Sequence, residues 1–119
     1  MNKLFLELEN KRYSLITSTF NSYNRGTDME PYPTDNTFTL QIKITRIDKT
    51  INDWFYNVSG LTKNGKIVLI NEDDKPIYEL CFIEAQTSSI NGNLNAQAGE
   101  YGNDLMVTLI AESIFTNVL

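Results

Sequence analysis

Apolar and polar residues alternate from the start of the chain. Leu4, Leu6 and Leu8 fall on one face and Lys3, Phe5, Glu7 and Glu9 on the other, the period of a half-buried strand. Asn10-Lys11 reads as a tight turn. Residues 12–20, rich in β-branched and aromatic side chains, read as the return strand of an antiparallel hairpin. The cleanest alternation covers residues 37–47: Phe38, Leu40, Ile42 and Ile44 point one way, and Thr37, Thr39, Gln41, Lys43 and Thr45 the other. Over residues 48–60 the spacing becomes helical, with Ile51, Trp54, Phe55 and Val58 as the apolar face. Thr50 is the expected N-cap, Asp53 a capping-box-like acid three residues on, and Gly60 the stop.

Strand patterns return at 66–71 and 77–85, after an Asn64-Gly65 turn and on either side of the acidic turn Glu72-Asp73-Asp74-Lys75-Pro76. Residues 86–104 are polar, and their first few positions are expected to continue the preceding strand. Residues 105–114 are strongly apolar, with Leu105, Val107, Leu109 and Ala111 on one face and Met106, Thr108 and Ile110 on the other. The order β-β-loop-β-α-β-β-loop-β predicts one mainly β domain over residues 1–119, an antiparallel β-barrel or sandwich with one short α-helix. Between the second and third strands, residues 21–36 have no periodicity but carry Tyr23, Arg25, Asp28, Met29, Pro31, Tyr32 and Pro33. Loops beyond about 12–15 residues are usually disordered or functional. The apolar groups here argue against plain disorder and for docking.

Composition narrows the partner. Six Phe, six Tyr and one Trp suit a packed β-rich core, and the net charge of −5 comes without any Lys/Arg cluster to neutralise phosphates. Nucleic acid is therefore not expected. A single cysteine, Cys81, excludes an internal disulfide. Residues 4–8 form neither a signal-peptide core nor a membrane span, so cytosolic synthesis without membrane insertion is expected.

Candidate chemistry is sparse. The chain has no histidine, which removes the commonest general base and metal ligand. Cys81, between Leu80 and Phe82 in a strand pattern, reads as a packed structural residue. The acidic turn lacks the spacing and glycine of a calcium loop, and Trp54 sits with Ile51 and Val58 as a helix-on-sheet contact. No catalytic, metal-binding or cofactor-binding residue is expected.

Four segments together resemble the tube-forming Hcp (TssD) family of bacterial type VI secretion systems, in particular its Bacteroidetes group. They are KRYSLITSTFNSYNRGTD, INDWFYN, LTKNGKIVLINEDDKPIYELCFIEAQ and NDLMVTLIAESI. The third is the most specific: Lys63-Asn64-Gly65, an apolar strand at 67–70, acids at 72–74 and a strand ending Phe82-x-x-Ala85. The resemblance implies a hexameric ring that stacks into a tube inside a contractile sheath. It also implies a VgrG-type spike as cap and ejection with effector proteins, hence secretion without a signal peptide. It places the loop that contains Tyr23, Arg25, Asp28, Met29 and Tyr32 between stacked rings. The face Thr37, Thr39, Gln41, Lys43 and Thr45 becomes a candidate lumen lining, competing with simple solvent exposure. Alternatives are a tube subunit of a phage-tail-like contractile particle and a monomeric small-ligand-binding β-barrel with the loop as lid.

Overall fold

The computed structural model describes residues 2–23, 37–56, 60–94 and 104–119. In chain order the elements are β1 (Lys3–Leu8), β2 (Lys11–Tyr23), β3 (Thr37–Ile44), α1 (Lys49–Phe55), β4 (Lys63–Ile70), β5 (Pro76–Asn93), β6 (Asp104–Ala111) and β7 (Ser113–Val118). Neighbouring strands follow the order β4-β1-β2-β3-β6-β5, and β5 pairs back onto β4, which closes a six-stranded antiparallel barrel. β7 adds to the outer side of β5.

The first hairpin turns at Glu9-Asn10, one residue earlier than the sequence suggests, with φ of 52° and 89°. Two successive positive φ values give the turn that matches strand twist. Leu4 pairs with Leu15 and Leu8 with Lys11. The acidic turn forms as expected. The Asn71 Oδ1 accepts from the backbone N–H groups of Asp73 and Lys75 at 2.9 and 3.0 Å, and so satisfies two backbone donors of the turn.

Several boundaries move. Asn64-Gly65 is not a turn: both lie inside β4, beside a register shift opposite β5. A Cβ on Gly65 would come within 2.6 Å of the Leu8 side chain, 2.7 Å of the Phe82 ring and 2.8 Å of the Glu7 carbonyl oxygen. Glycine is there because two strands and a ring converge, and loop chemistry has no part in it. β5 runs to Asn93, carrying Asn91-Gly92 within the strand. The single terminal strand expected at 105–114 is two strands, β6 and β7, interrupted at Glu112, whose N–H donates to the Ile83 carbonyl. Together they follow almost the whole length of β5.

The helix is shorter than its pattern, and its cap is Asp48 rather than Thr50. Asp48 has extended backbone and its Oδ1 accepts from the Ile51 N–H at 3.0 Å. Thr50 is two residues too late for that bond, already inside the helix, and Asp53 pairs with Lys49 four residues before it. Val58 and the expected stop region at 57–59 lie outside the described residues. Ile51, Trp54 and Phe55 are buried. The Trp54 indole N–H donates to the Ala85 carbonyl at 3.0 Å, and the Thr87 hydroxyl donates to the Trp54 carbonyl. The helix therefore plugs one mouth of the barrel and is fastened to the middle of β5.

Leu6, Leu40, Ile42, Ile44, Val107, Leu109 and Phe82 join these helix residues in one fully buried cluster. The barrel interior is filled by side chains, as in other small barrels.

Candidate assembly surface

β2 and β5 each divide their length between two sheets, and that division creates the candidate site. β2 pairs with β1 from Lys11 to Leu15 and with β3 from Leu15 onward. Likewise β5 pairs with β4 from Pro76 to Ala85, and its Gln86–Asn93 half pairs with β6 only. One half of the barrel is thus a four-stranded sheet ordered β2-β3-β6-β5. Among the described residues, its two outer edges, Thr17 to Tyr23 and Gln86 to Asn93, have no strand partner.

Neither edge carries a charge or a proline. Monomeric proteins usually protect such edges with one or the other, because unpaired N–H and C=O groups invite another strand. Across this antiparallel sheet β2 and β5 run in opposite directions. The β5 edge of one copy can therefore continue the antiparallel ladder from the β2 edge of another, a head-to-tail contact that repeats.

The outward face of the sheet is built in rows. Thr17, Lys43, Met106 and Asn91 share one row; Thr19, Gln41, Thr108 and Ser89 the next; Asn21, Thr39, Ile110 and Gln86 the third. Lys43 is the only charge among the twelve, and Asp104 lies 3.5 Å from its ammonium. The Gln41 amide donates to the Thr108 hydroxyl at 3.4 Å. Of the sequence-predicted face, Thr39, Gln41 and Lys43 come together here. Thr45 lies beyond the end of β3, in a groove with Ile47 and Tyr56. Thr37 pairs by its backbone with Tyr23. Met106, Thr108 and the β2 and β5 contributors were missed, because only strand pairing places them beside β3.

The opposite outer face is chemically different. Arg12 binds Glu7 at 2.7 Å, Lys66 sits 3.8 Å from Glu7 and 3.4 Å from Glu79, and the Asn117 amide donates to Glu79. This ladder of alternating charge crosses four strands and is extended by Asn117 onto a fifth, with the Arg12 guanidinium over the Phe5 ring at 4.8 Å. Cys81 lies on this face as well, half-buried and opposite Lys66 and Phe115. Burial and then the Glu79 charge push its thiol pKa up, which suits an inert packed residue more than a nucleophile.

Asp48 knots the helix start to the first hairpin. It accepts from the Tyr13 hydroxyl at 3.1 Å and pairs with Lys11 at 3.1 Å. Its carboxyl is held below the ordinary value, chiefly by the Ile51 N–H and then by Lys11 and Tyr13. The Tyr13 hydroxyl is pushed up to about 12, by burial first and by Asp48 second. At the corner between β6 and β7, Glu112 raises the pKa of Glu84, first by a side-chain hydrogen bond and then by like charge. Glu84 itself has φ 48°.

Of the expected loop contacts, Tyr23 is the last residue of β2. Arg25, Asp28, Met29 and Tyr32 lie outside the described residues. Among the described residues no group of three or more His, Cys, Asp or Glu is placed to hold a metal ion.

This fold is shared with solved structures of Hcp1 proteins and with a chain of an extracellular contractile injection system. Hcp1 from Flavobacterium johnsoniae superposes over 98% of this chain and 96% of its own, with a TM-score of 0.74 at 17% identity. Hcp1 from Salmonella typhimurium matches 98% of this chain and 86% of its own (TM-score 0.71, 9% identity). A chain in the sheath-tube complex of the extracellular contractile injection system PVC, in its extended state, matches 98% and 89% (TM-score 0.67, 12% identity). No family model and no curated sequence matches.

Proposed function

We propose that this chain is a structural subunit of a type VI secretion inner tube. Copies join the Gln86–Asn93 edge of β5 to the Thr17–Tyr23 edge of β2 and close into a hexameric ring, and rings stack into a tube. The carrying observation is the pair of uncharged, unpaired edges that run antiparallel on opposite sides of one sheet. The fold shared with Hcp1 supports it.

In this arrangement the uncharged face around Thr39, Gln41 and Thr108 lines the lumen, where hydroxyls and amides let cargo slide without charge selection. The loop with Tyr23, Arg25, Asp28, Met29 and Tyr32 contacts the next ring. A VgrG-type spike, a contractile sheath and effectors complete the machine, and the subunit leaves the cytoplasm through it without a signal peptide. It performs no catalysis.

A tube subunit of an extracellular contractile particle is the second reading, favoured by the likeness to the sheath-tube complex chain. The neighbouring genes separate the two. A ligand-binding barrel is disfavoured, because buried side chains fill the interior. Negative-stain imaging and native mass measurement test the proposal. Sixfold rings are expected, and deletion of residues 28–33 should leave the rings while abolishing stacking. A strict monomer at high concentration refutes the assignment.

A further inference from the structure

The barrel is unfinished at the corner where β2 leaves β1. Beside the free edge of β2, Ser18 and Phe20 together with Leu4, Leu69, Tyr78 and Leu80 surround an apolar crevice of about 140 Å³. Phe20 is 42% exposed. The Ser18 hydroxyl is shut off from solvent and has no hydrogen-bond partner among the described residues, an arrangement that native proteins rarely leave. Both residues fall on the core side of the sheet, Ser18 in a row with Ile42 and Val107 and Phe20 in a row with Leu40 and Leu109. A strand added beyond β2 would therefore send every second side chain toward this crevice.

We infer that the ring contact has one register, in which Thr17–Tyr23 of one copy lies against Gln86–Asn93 of the next over their whole length and Ile90 of the next copy fills the crevice beside Phe20. The inference rests on the ring reading above and fixes a register that the reading leaves open. Three observations select it. First, the two edges match in length. β2 offers the seven positions from Thr17 to Tyr23. β5 has eight residues from Gln86 to Asn93, but the pairs Thr87–Leu109 and Ser89–Thr108 make Ser88 the extra residue of a bulge. Full antiparallel overlap sets Gln86 against Tyr23, Ile90 against Phe20, Asn91 against Thr19 and Asn93 against Thr17. Core-side positions then meet core-side positions, which a slip of one residue would reverse.

Second, the neighbouring registers fail. Carrying the rows of one copy straight into the next sets Gly92 against Leu15, whose outer side is already taken by Leu4. A further slide of two positions beyond full overlap leaves Thr17 and Ser18 unpaired. The surviving register steps by two residues from copy to copy, and such a stagger tilts the strands as closure of a sheet requires. Third, the core-side residues of the β5 edge are Thr87, Ile90 and Gly92. Of these only Ile90 has a wholly apolar side chain, and it is partly buried against the core of its own copy. Gly92, set against Ser18, has no side chain, which leaves backbone carbonyls of the next copy open to the Ser18 hydroxyl.

The test is two pairs of thiols in a Cys81→Ser background, oxidised after assembly and read on a denaturing gel. Thr19→Cys with Asn91→Cys should give covalent ladders up to the full ring. Thr19→Cys with Ser89→Cys, the pair that the straight register would join, should stay unlinked. Ile90→Ala should raise the ring dissociation constant by about tenfold or more, and by much less in a Phe20→Ala background, because both changes remove one contact. Ladders from the Ser89 pair, rings that neither pair links, or equal effects of Ile90→Ala in the two backgrounds overturn this register and leave the ring reading standing. A chain that never assembles overturns both.

Discussion

Replacing Trp54 tests whether one hydrogen bond and one buried ring hold the helix in the barrel mouth. The Trp54 side chain is fully buried. It stacks on Phe82 with centroids 6.0 Å apart and meets Phe55 at 5.5 Å. Its indole N–H is bonded to the Ala85 carbonyl at 3.0 Å. Trp54→Phe keeps most of the ring contact but strands that carbonyl, at a cost of about 1–3 kcal/mol. Trp54→Ala loses the ring as well and should cost about 3–5 kcal/mol.

An unfolding entropy of about 2.1 cal/mol/K per residue gives this chain roughly 250 cal/mol/K, so each kcal/mol lowers the melting temperature by about 4 °C. Trp54→Phe should therefore melt about 8 °C lower, and Trp54→Ala about 12–20 °C lower. Circular dichroism is the suitable probe, because either change removes the only tryptophan. Protein concentration must be fixed, since assembly stabilises the native state by mass action. A Trp54→Phe protein melting within about 2 °C of wild type would show that the indole bond is not the fastening.

Gly65→Ala should destabilise by about 1–3 kcal/mol. The Glu7 carbonyl is backbone and cannot yield, so Leu8→Ala should not restore the loss; full rescue in a denaturant titration would disprove this account. Asp48 and Glu9 have carboxyl pKa values held down by the Ile51 N–H and by Lys63 respectively. Their contribution is therefore present above the ordinary carboxylate values and lost as pH falls through the lower folded ones. Melting temperatures measured from pH 6 to pH 3 should fall less steeply in Asp48→Asn, and parallel curves would contradict it. Glu84 is the reverse case, raised by Glu112, so its contribution is full at acid pH and lost as pH rises through the folded value. Glu112→Gln should then stabilise at pH 7 but not at pH 4; equal effects at both would exclude the coupling of the two carboxyls. Alanine at Thr39 and Gln41 together should change effector export while rings and tubes form normally, and unchanged export would remove these residues from the lumen.

Alternation of apolar and polar residues was enough to place Leu4, Leu6, Leu8, Leu40, Ile42 and Ile44 on the core side, to set Trp54 against the sheet and to make Thr39, Gln41 and Lys43 one outer face. That legibility has a local cause: a strand or a helix shows its buried face by its own period. What the period cannot show is where a strand changes partner. β5 reads as a strand that runs a few residues past Ala85, yet it continues to Asn93 by exchanging β4 for β6. The last apolar run reads as one strand, yet it breaks at Glu112 because β6 follows β3 and β7 does not. Asn64-Gly65 has turn composition, but its glycine is required by Leu8 and Phe82, residues distant in sequence. The free edges, and the twelve-residue face between them, arise only where non-local pairing stops. The sequence by itself determined which side chains are buried, whereas the tertiary structure decided which backbone groups remain unpaired, because hydrogen-bond partners in a sheet come from other strands.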